Sequence, residues 1–331
     1  MRKLRIVVVI AAGITLGSCN QTNEVVEPQA PRVQLTVSNL PRIDPGEGHY
    51  QVWAYILDFN KPAGGNGVLH GDYYSMGEFN IAPDGSGPVD LEDNPVRFTV
   101  PEGKDVQLVQ DVMIAFQGPE EGLARVQHDE PGPPLLIGHL MGDETRGTAD
   151  LSLTDVFGNG LGTATGRYTL AAPTSVPSDS NAGVWFVELG TPVTAGLHLP
   201  VLPAGWMYEG WAVEHQGELE TRILSTGKFL SPDSADADGA GASKGPGTGY
   251  PFPGQDFIVV PQGKPDLEAF EIRLTIEPDP DNSPEPFGLT LMTSRVLVHV
   301  DRPPATTSGT RSLANMMQPS VAPRATLTVV K

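Results

Sequence analysis

The chain of 331 residues has a single cysteine, Cys19. Disulfide staples and cysteine metal clusters are thereby excluded, so the fold must be held by its core. Basic residues are scarce: 21 Lys and Arg stand against 40 Asp and Glu, a formal net charge of −19. A surface that acidic repels phosphate backbones and anionic lipid headgroups, which removes nucleic acid from the candidate partners. No apolar run beyond Leu16 is long enough to cross a bilayer, and no long segment has a helical period. Catalytic motifs are missing as well. There is no Gly-x-Ser-x-Gly elbow, no phosphate-binding loop and no His-Glu-x-x-His. Ser225-Thr226-Gly227-Lys228 has a Gly-Lys pair without the preceding glycine of a P-loop.

What is present begins at the start of the chain. Arg2, Lys3 and Arg5 precede an apolar run from Ile6 to Leu16 that ends in Leu16-Gly17-Ser18-Cys19. A basic region, a short apolar core and small residues form the layout of a secretory signal. With the cysteine placed after Leu-Gly-Ser, the segment resembles a bacterial lipoprotein signal. That resemblance implies removal of residues 1–18 and acylation of Cys19, after which no free thiol remains and the net charge becomes −22. Several acyl chains anchor strongly, because each buried methylene contributes about 0.8 kcal/mol. Asn20 stands where an aspartate would signal inner-membrane retention, so the outer membrane is expected if the organism has one. Residues 19–31 then read as a lipidated tether.

Glycine (38) and proline (32) exceed a fifth of the chain and break up helices. Short stretches alternate instead: in Glu271–Glu277, Ile272, Leu274 and Ile276 face one way and the charged residues and Thr275 the other. Val33, Leu35 and Val37 alternate likewise, as do Val296, Val298 and Val300. The expected fold class is all-β, with tandem β-sandwiches as the architecture.

The chain also repeats itself. Tyr50-Gln51-Val52-Trp53-Ala54 and Ser75-Met76-Gly77-Glu78-Phe79 return as Tyr208-Glu209-Gly210-Trp211-Ala212 and Ser225-Thr226-Gly227-Lys228-Phe229. Each copy then runs into an acidic glycine loop, and Val112–Pro119 matches Ile272–Asp279 in pattern. The repeat places module 1 at 32–155 and module 2 at 182–301, with 156–181 as a linker or as completing strands. In the tail, 302–331, Thr326–Val330 alternates like a terminal strand in search of a sheet edge.

The Tyr-x-x-Trp-Ala, Ser-x-Gly-x-Phe and Ile-Glu-Pro arrangement resembles the extracytoplasmic C-terminal domain of anti-sigma-K factors. Module 2 carries it through Tyr208, Trp211, Gly227, Phe229, Glu277 and Pro278, whereas module 1 has Gln117-Gly118 in place of Glu-Pro. The cytoplasmic helical domain and transmembrane helix of an anti-sigma factor have no counterpart in this sequence. The resemblance therefore implies fold and compartment and argues against a direct anti-sigma role.

Candidate sites remain sparse. Trp206, Tyr208 and Trp211, with Tyr50 and Trp53, read either as an aromatic binding platform or as core anchors. His70-Gly71-Asp72 and His128-Asp129-Glu130 lack the spacing of a zinc site. Asp233, Asp236 and Asp238, followed by Gly239, suggest a calcium loop, but Gly245 stands where an EF-hand needs glutamate. Asp279, Asp281 and Asn282 form a second acidic loop. The reading is a non-catalytic envelope lipoprotein that binds, senses or scaffolds, with the membrane and another envelope protein or a glycan as partners. An indirect component of an anti-sigma or envelope-stress pathway is the first alternative, and a glycan-acting hydrolase the second.

Overall fold

The strands follow from the alternation. In a computed structural model of the chain, residues 31–44, 46–61, 70–119, 130–143, 145–217, 219–280, 283–294, 309–318 and 320–330 are described. The signal segment, Cys19, the His128-Asp129 pair, the Asp281-Asn282 pair and the Val296–Val300 alternation lie outside them. The main strands in chain order are β1 (Arg32–Ser38), β2 (His49–Leu57), β3 (Gly71–Ile81), β4 (Val109–Gln117), β5 (Pro134–His139), β6 (Arg146–Ser152), β7 (Thr165–Leu170) and β8 (Gly183–Trp185). They continue as β9 (Trp206–Gln216), β10 (Leu219–Phe229), β11 (Gly254–Asp256), β12 (Glu271–Pro278), β13 (Thr290–Thr293), β14 (Thr310–Asn315) and β15 (Arg324–Val330). The α-helices among the described residues are single turns, Thr154–Phe157 and Gly160–Thr163.

The chain is all-β, in two large antiparallel sheets. The first runs β1-β15-β6-β5-β4-β2-β3, and the second β10-β9-β12-β13-β14-β7-β8-β11. Read outward from the paired central strands, the two orders coincide. β2, β3, β4, β5 and β6 correspond to β9, β10, β12, β13 and β14, and the β15–β1 pair corresponds to β7–β8.

Local detail repeats too. Tyr50 Oη donates to the Pro41 carbonyl at 2.9 Å, and Tyr208 Oη to the Pro200 carbonyl at 2.7 Å. Phe79 lies 5.4 Å from the Tyr50 ring, and Phe229 lies 5.6 Å from Tyr208. A bulge precedes each tryptophan, at Val52/Trp53 and at Glu209/Trp211. A 3-10 turn capped by an aspartate precedes each central strand, with Asp105 accepting from the Gln107 amide and Asp266 from the Glu268 amide.

Each sheet is nearly barrel-like, and the seams close differently. In the first, Phe98 bridges to Val33 of β1 while the Thr99 amide donates to the Met76 carbonyl of β3. In the second, β11 pairs with β8, the Ala237 amide donates to the Lys228 carbonyl of β10, and Asp236 accepts from the Gly254 amide of β11.

Two features revise the expected module map. β7 falls in the segment left open between linker and completing strand, and it pairs with β14 and β8 inside the second sheet. β15, from the tail, does not cap an outer edge but inserts between β1 and β6. Its register runs from Arg32↔Val330 to Ser38↔Arg324 on one side and from Ser152↔Arg324 to Arg146↔Val330 on the other. The C-terminal strand thus supplies to the first repeat what β7 supplies to the second. Residues 31–331 form one compact unit, and one hydrophobic cluster joins Tyr50, Val52 and Phe79 to Tyr208, Phe229 and Ile276.

Candidate functional site

The aromatic candidates are packing groups in this structure. Tyr208, Trp206 and Trp211 are at most 1 % exposed, as are Tyr50 and Trp53, so none offers a ring face to solvent. Burial pushes the phenol pKa values of Tyr50 and Tyr208 up. Trp206, which has no counterpart in the first copy, joins the repeats. Its indole N–H donates to the Pro134 carbonyl at 2.9 Å, and its ring meets Phe157 at 5.6 Å and Phe287 at 6.0 Å.

Trp53 and Trp211 sit on the opposite sheet face from Tyr50 and Tyr208, in different company. Trp53 packs with Met113 and Ala115 in a small cluster of its own, and its indole N–H has no partner. Trp211 donates to Thr275 Oγ1 at 2.8 Å. Thr275 is the counterpart of Ala115, since each faces its tryptophan's strand at the same register position. One substitution between the copies therefore decides whether the indole is satisfied.

The same face bears a buried polar ladder whose charges differ between copies. In the first repeat, Gln117 donates to Gln51 at 2.9 Å and Gln51 donates to Ser75 at 2.7 Å. In the second, the corresponding residues are Glu277, Glu209 and Ser225. The Ser225 hydroxyl donates to Glu209, and Glu277 accepts from the Thr275 hydroxyl and from the Phe287 amide at 3.0 Å. Replacing two amides by two carboxylates calls for a cation. Lys228, which stands where the first copy has Glu78, places Nζ 3.6 Å from Glu209. The sign change between Glu78 and Lys228 is thus charge compensation, and it assigns Lys228 a structural partner.

Further along β12, Glu271 is buried amid Arg273 (3.0 Å), Thr293 (2.7 Å) and His215 (2.7 Å), and Arg273 also reaches Glu220 at 2.7 Å. Burial alone would raise the Glu271 pKa, but the Arg273 guanidinium and the other donors outweigh it and hold the carboxyl below its usual range.

The space with the character of a binding site lies where the repeats meet. The end of β4, the turns around Glu47 and Pro133, and the residues after β12 enclose a groove of about 520 Å³, lined by Glu47, Phe116, Pro119 and Pro133 from one repeat and Pro278, Asp279, Pro280 and Ser283 from the other. A recess of about 60 Å³ shares Glu47, Phe116, Pro278 and Ser283 with it and adds Asp44 and Glu285. Phe116 and Phe287 hold its floor edge to face at 5.3 Å. The lining is apolar rings below and carboxylates at the rim. Arg42, the cation among these residues, is engaged by Asp93 at 2.8 Å. This groove escaped the sequence reading because its two walls come from segments far apart in the chain, Glu47–Pro133 and Pro278–Ser283. The sequence signal available was the prolines that crowd the ends of both matched central strands.

Of the metal candidates, Asp236 and Asp238 meet beside Gly227, and Asp233 is exposed on the same loop. Burial pushes Asp236 up to about 7; the Gly254 amide opposes that shift and the neighbouring Asp238 adds to it. Asp72 pairs with Lys61 at 2.5 Å, and His70 is exposed. Among the described residues no group of three His, Cys, Asp or Glu converges as metal ligands.

The chain matches none of the protein-family models, curated proteins or solved structures compared with it.

Proposed function

We propose that this chain is a non-catalytic binding or scaffolding protein of a bacterial envelope, lipidated at Cys19, that engages its target in the groove between its two repeats. The observation that carries the reading is that groove: an apolar floor with an acidic rim, built jointly by two rigid sheets. Recognition by loops at the ends of a fixed scaffold is a common use of such architecture. The rim suits a partner with cationic or hydroxyl-rich groups, either a protein segment or a glycan. A place in an envelope-stress pathway is compatible with this reading and would act through a second, membrane-spanning protein.

Two substitutions test the two halves of the proposal. Cys19→Ser should move the protein from the membrane to the soluble extracytoplasmic fraction, and unchanged fractionation would refute the anchor. Phe116→Ala combined with Glu47→Gln should abolish cross-linking to the envelope partner or retention on envelope glycan while the fold persists. Retention equal to the parent chain would remove the groove from the proposal.

A second reading has one specific support. Glu47 and Glu285 line the same recess, and glycan hydrolysis needs a pair of carboxylates across a cleft. Release of reducing ends from envelope glycan, lost in Glu47→Gln, would favour a hydrolase over a binding protein.

A further inference from the structure

We propose that Asp236 and Asp238 hold one divalent cation of the oxygen-seeking calcium class at the seam of the second repeat. The argument starts from the polar atoms. Asp236 is 7 % exposed; its Oδ2 accepts from the Gly254 amide at 2.9 Å, and its Oδ1 is closed off from solvent with no hydrogen-bond partner. The neighbouring group is another acid, Asp238, which meets Asp236 beside Gly227 and is itself exposed.

Two adjoining carboxylates, one buried, repel unless a proton or a cation lies between them. Among the described residues no basic side chain fills that role. Lys228 accepts the Ala237 amide through its backbone carbonyl, while its ammonium turns to Glu209. Calcium completes its shell with backbone carbonyls and water as readily as with carboxylates, so two aspartates suffice to begin a site.

Position 227 is shaped to the pair. Gly227 has φ +97°, and a Cβ there would lie 2.6 Å from Asp238 Oδ1 and 2.8 Å from Asp236 Cγ. The matching Gly77 of the first repeat faces the Phe98 ring instead, beside an open groove of about 610 Å³. The acid pair therefore belongs to the second repeat alone, at the stitch that ties β10 to β11. A cation there would lock the seam that the first repeat closes with backbone hydrogen bonds. This inference stands apart from the groove and from the anchor.

The test is titration of calcium chloride into the full chain after chelator treatment, followed by calorimetry and by thermal melting. One calcium per chain is expected, with a Kd on the order of 10⁻⁴ to 10⁻³ M and a higher melting midpoint. Asp236→Asn and Asp238→Asn should each weaken binding at least about tenfold, because each removes a charged ligand. Asp233→Asn, exposed on the same loop, should bind as the parent does. No binding up to about 10 mM, well above that range, would overturn the proposal and leave a shared proton as the counter-charge. So would equal affinity in Asp238→Asn. Should Asp236→Asn fail to fold, Asp238→Asn and displacement of luminescent terbium by calcium from the parent chain decide the matter.

Discussion

Removing the last eight residues, by a stop codon in place of Arg324, should open the first sheet around β1 and β6 and lower the stability of the whole body, whose core is shared. β15 is a central strand of a sheet whose other members lie at the opposite end of the chain, between β1 and β6. Its inward side chains are Ala325, Leu327 and Val329, exposed by 5 %, 0 % and 2 %. Burying a leucine or valine fully contributes about 1.5–3 kcal/mol, so the two larger ones together contribute about 3–6 kcal/mol. The ladder hydrogen bonds, at about 0.5–1.5 kcal/mol each net, roughly offset the backbone ordering of seven residues, at about 1–2 kcal/mol each. A loss of about 3–6 kcal/mol is a large part of the 5–15 kcal/mol typical of a domain. The assay is hydrogen exchange read by mass spectrometry. Amides of β1 and β6 should lose protection in the truncated chain, and the whole-chain denaturation midpoint should fall. Undiminished protection of β1 and β6 would refute the assignment of β15 as the strand that completes the first repeat.

Other perturbations address single contacts. Trp206→Ala should cost about 3–5 kcal/mol in guanidinium unfolding, since the indole packs on Phe157 and Phe287 across the joint. Trp211→Phe should cost about 1–2 kcal/mol for the bond lost to Thr275, whereas Trp53→Phe should stay within about 1 kcal/mol of the parent because it deletes an unpaired donor. Conversely, Ala115→Thr should stabilise the first repeat by about 1 kcal/mol by supplying that donor with an acceptor. Acid should weaken the second repeat through Glu271. Its folded pKa lies below its ordinary 4.5, so its contribution is present above that value and is lost as pH falls through the lower folded one. Denaturation midpoints measured from pH 6 downward should decline below about 4.5, and Glu271→Gln should flatten that decline.

Much of the strand content was legible, because one buried face leaves a period of two in the sequence. Ile272, Leu274 and Ile276 all point into the core at 0 % exposure, as their spacing predicts. The other face was not legible. Thr275 and Glu277 read as solvent-facing, yet both are fully buried, held in a polar ladder that spans strands far apart in sequence. The terminal alternation at Thr326–Val330 marked a strand, but its place between β1 and β6 is a non-local pairing that carries no local signal. Trp206 was ambiguous for the same reason, since its partners Pro134, Phe157 and Phe287 come from both repeats. The matched tyrosines and glycines revealed the duplication. They did not reveal that the copies share one core, because Trp206, which packs at the joint, has no counterpart in the first copy.

That sharing is the centre of the account, and exchange under increasing guanidinium measures it directly. Amides of β4 in the first repeat and β12 in the second should lose protection at the same denaturant concentration, in one cooperative step. Two separated midpoints, with one central strand still protected after the other has opened, would show two independent modules and contradict the single body described for residues 31–331.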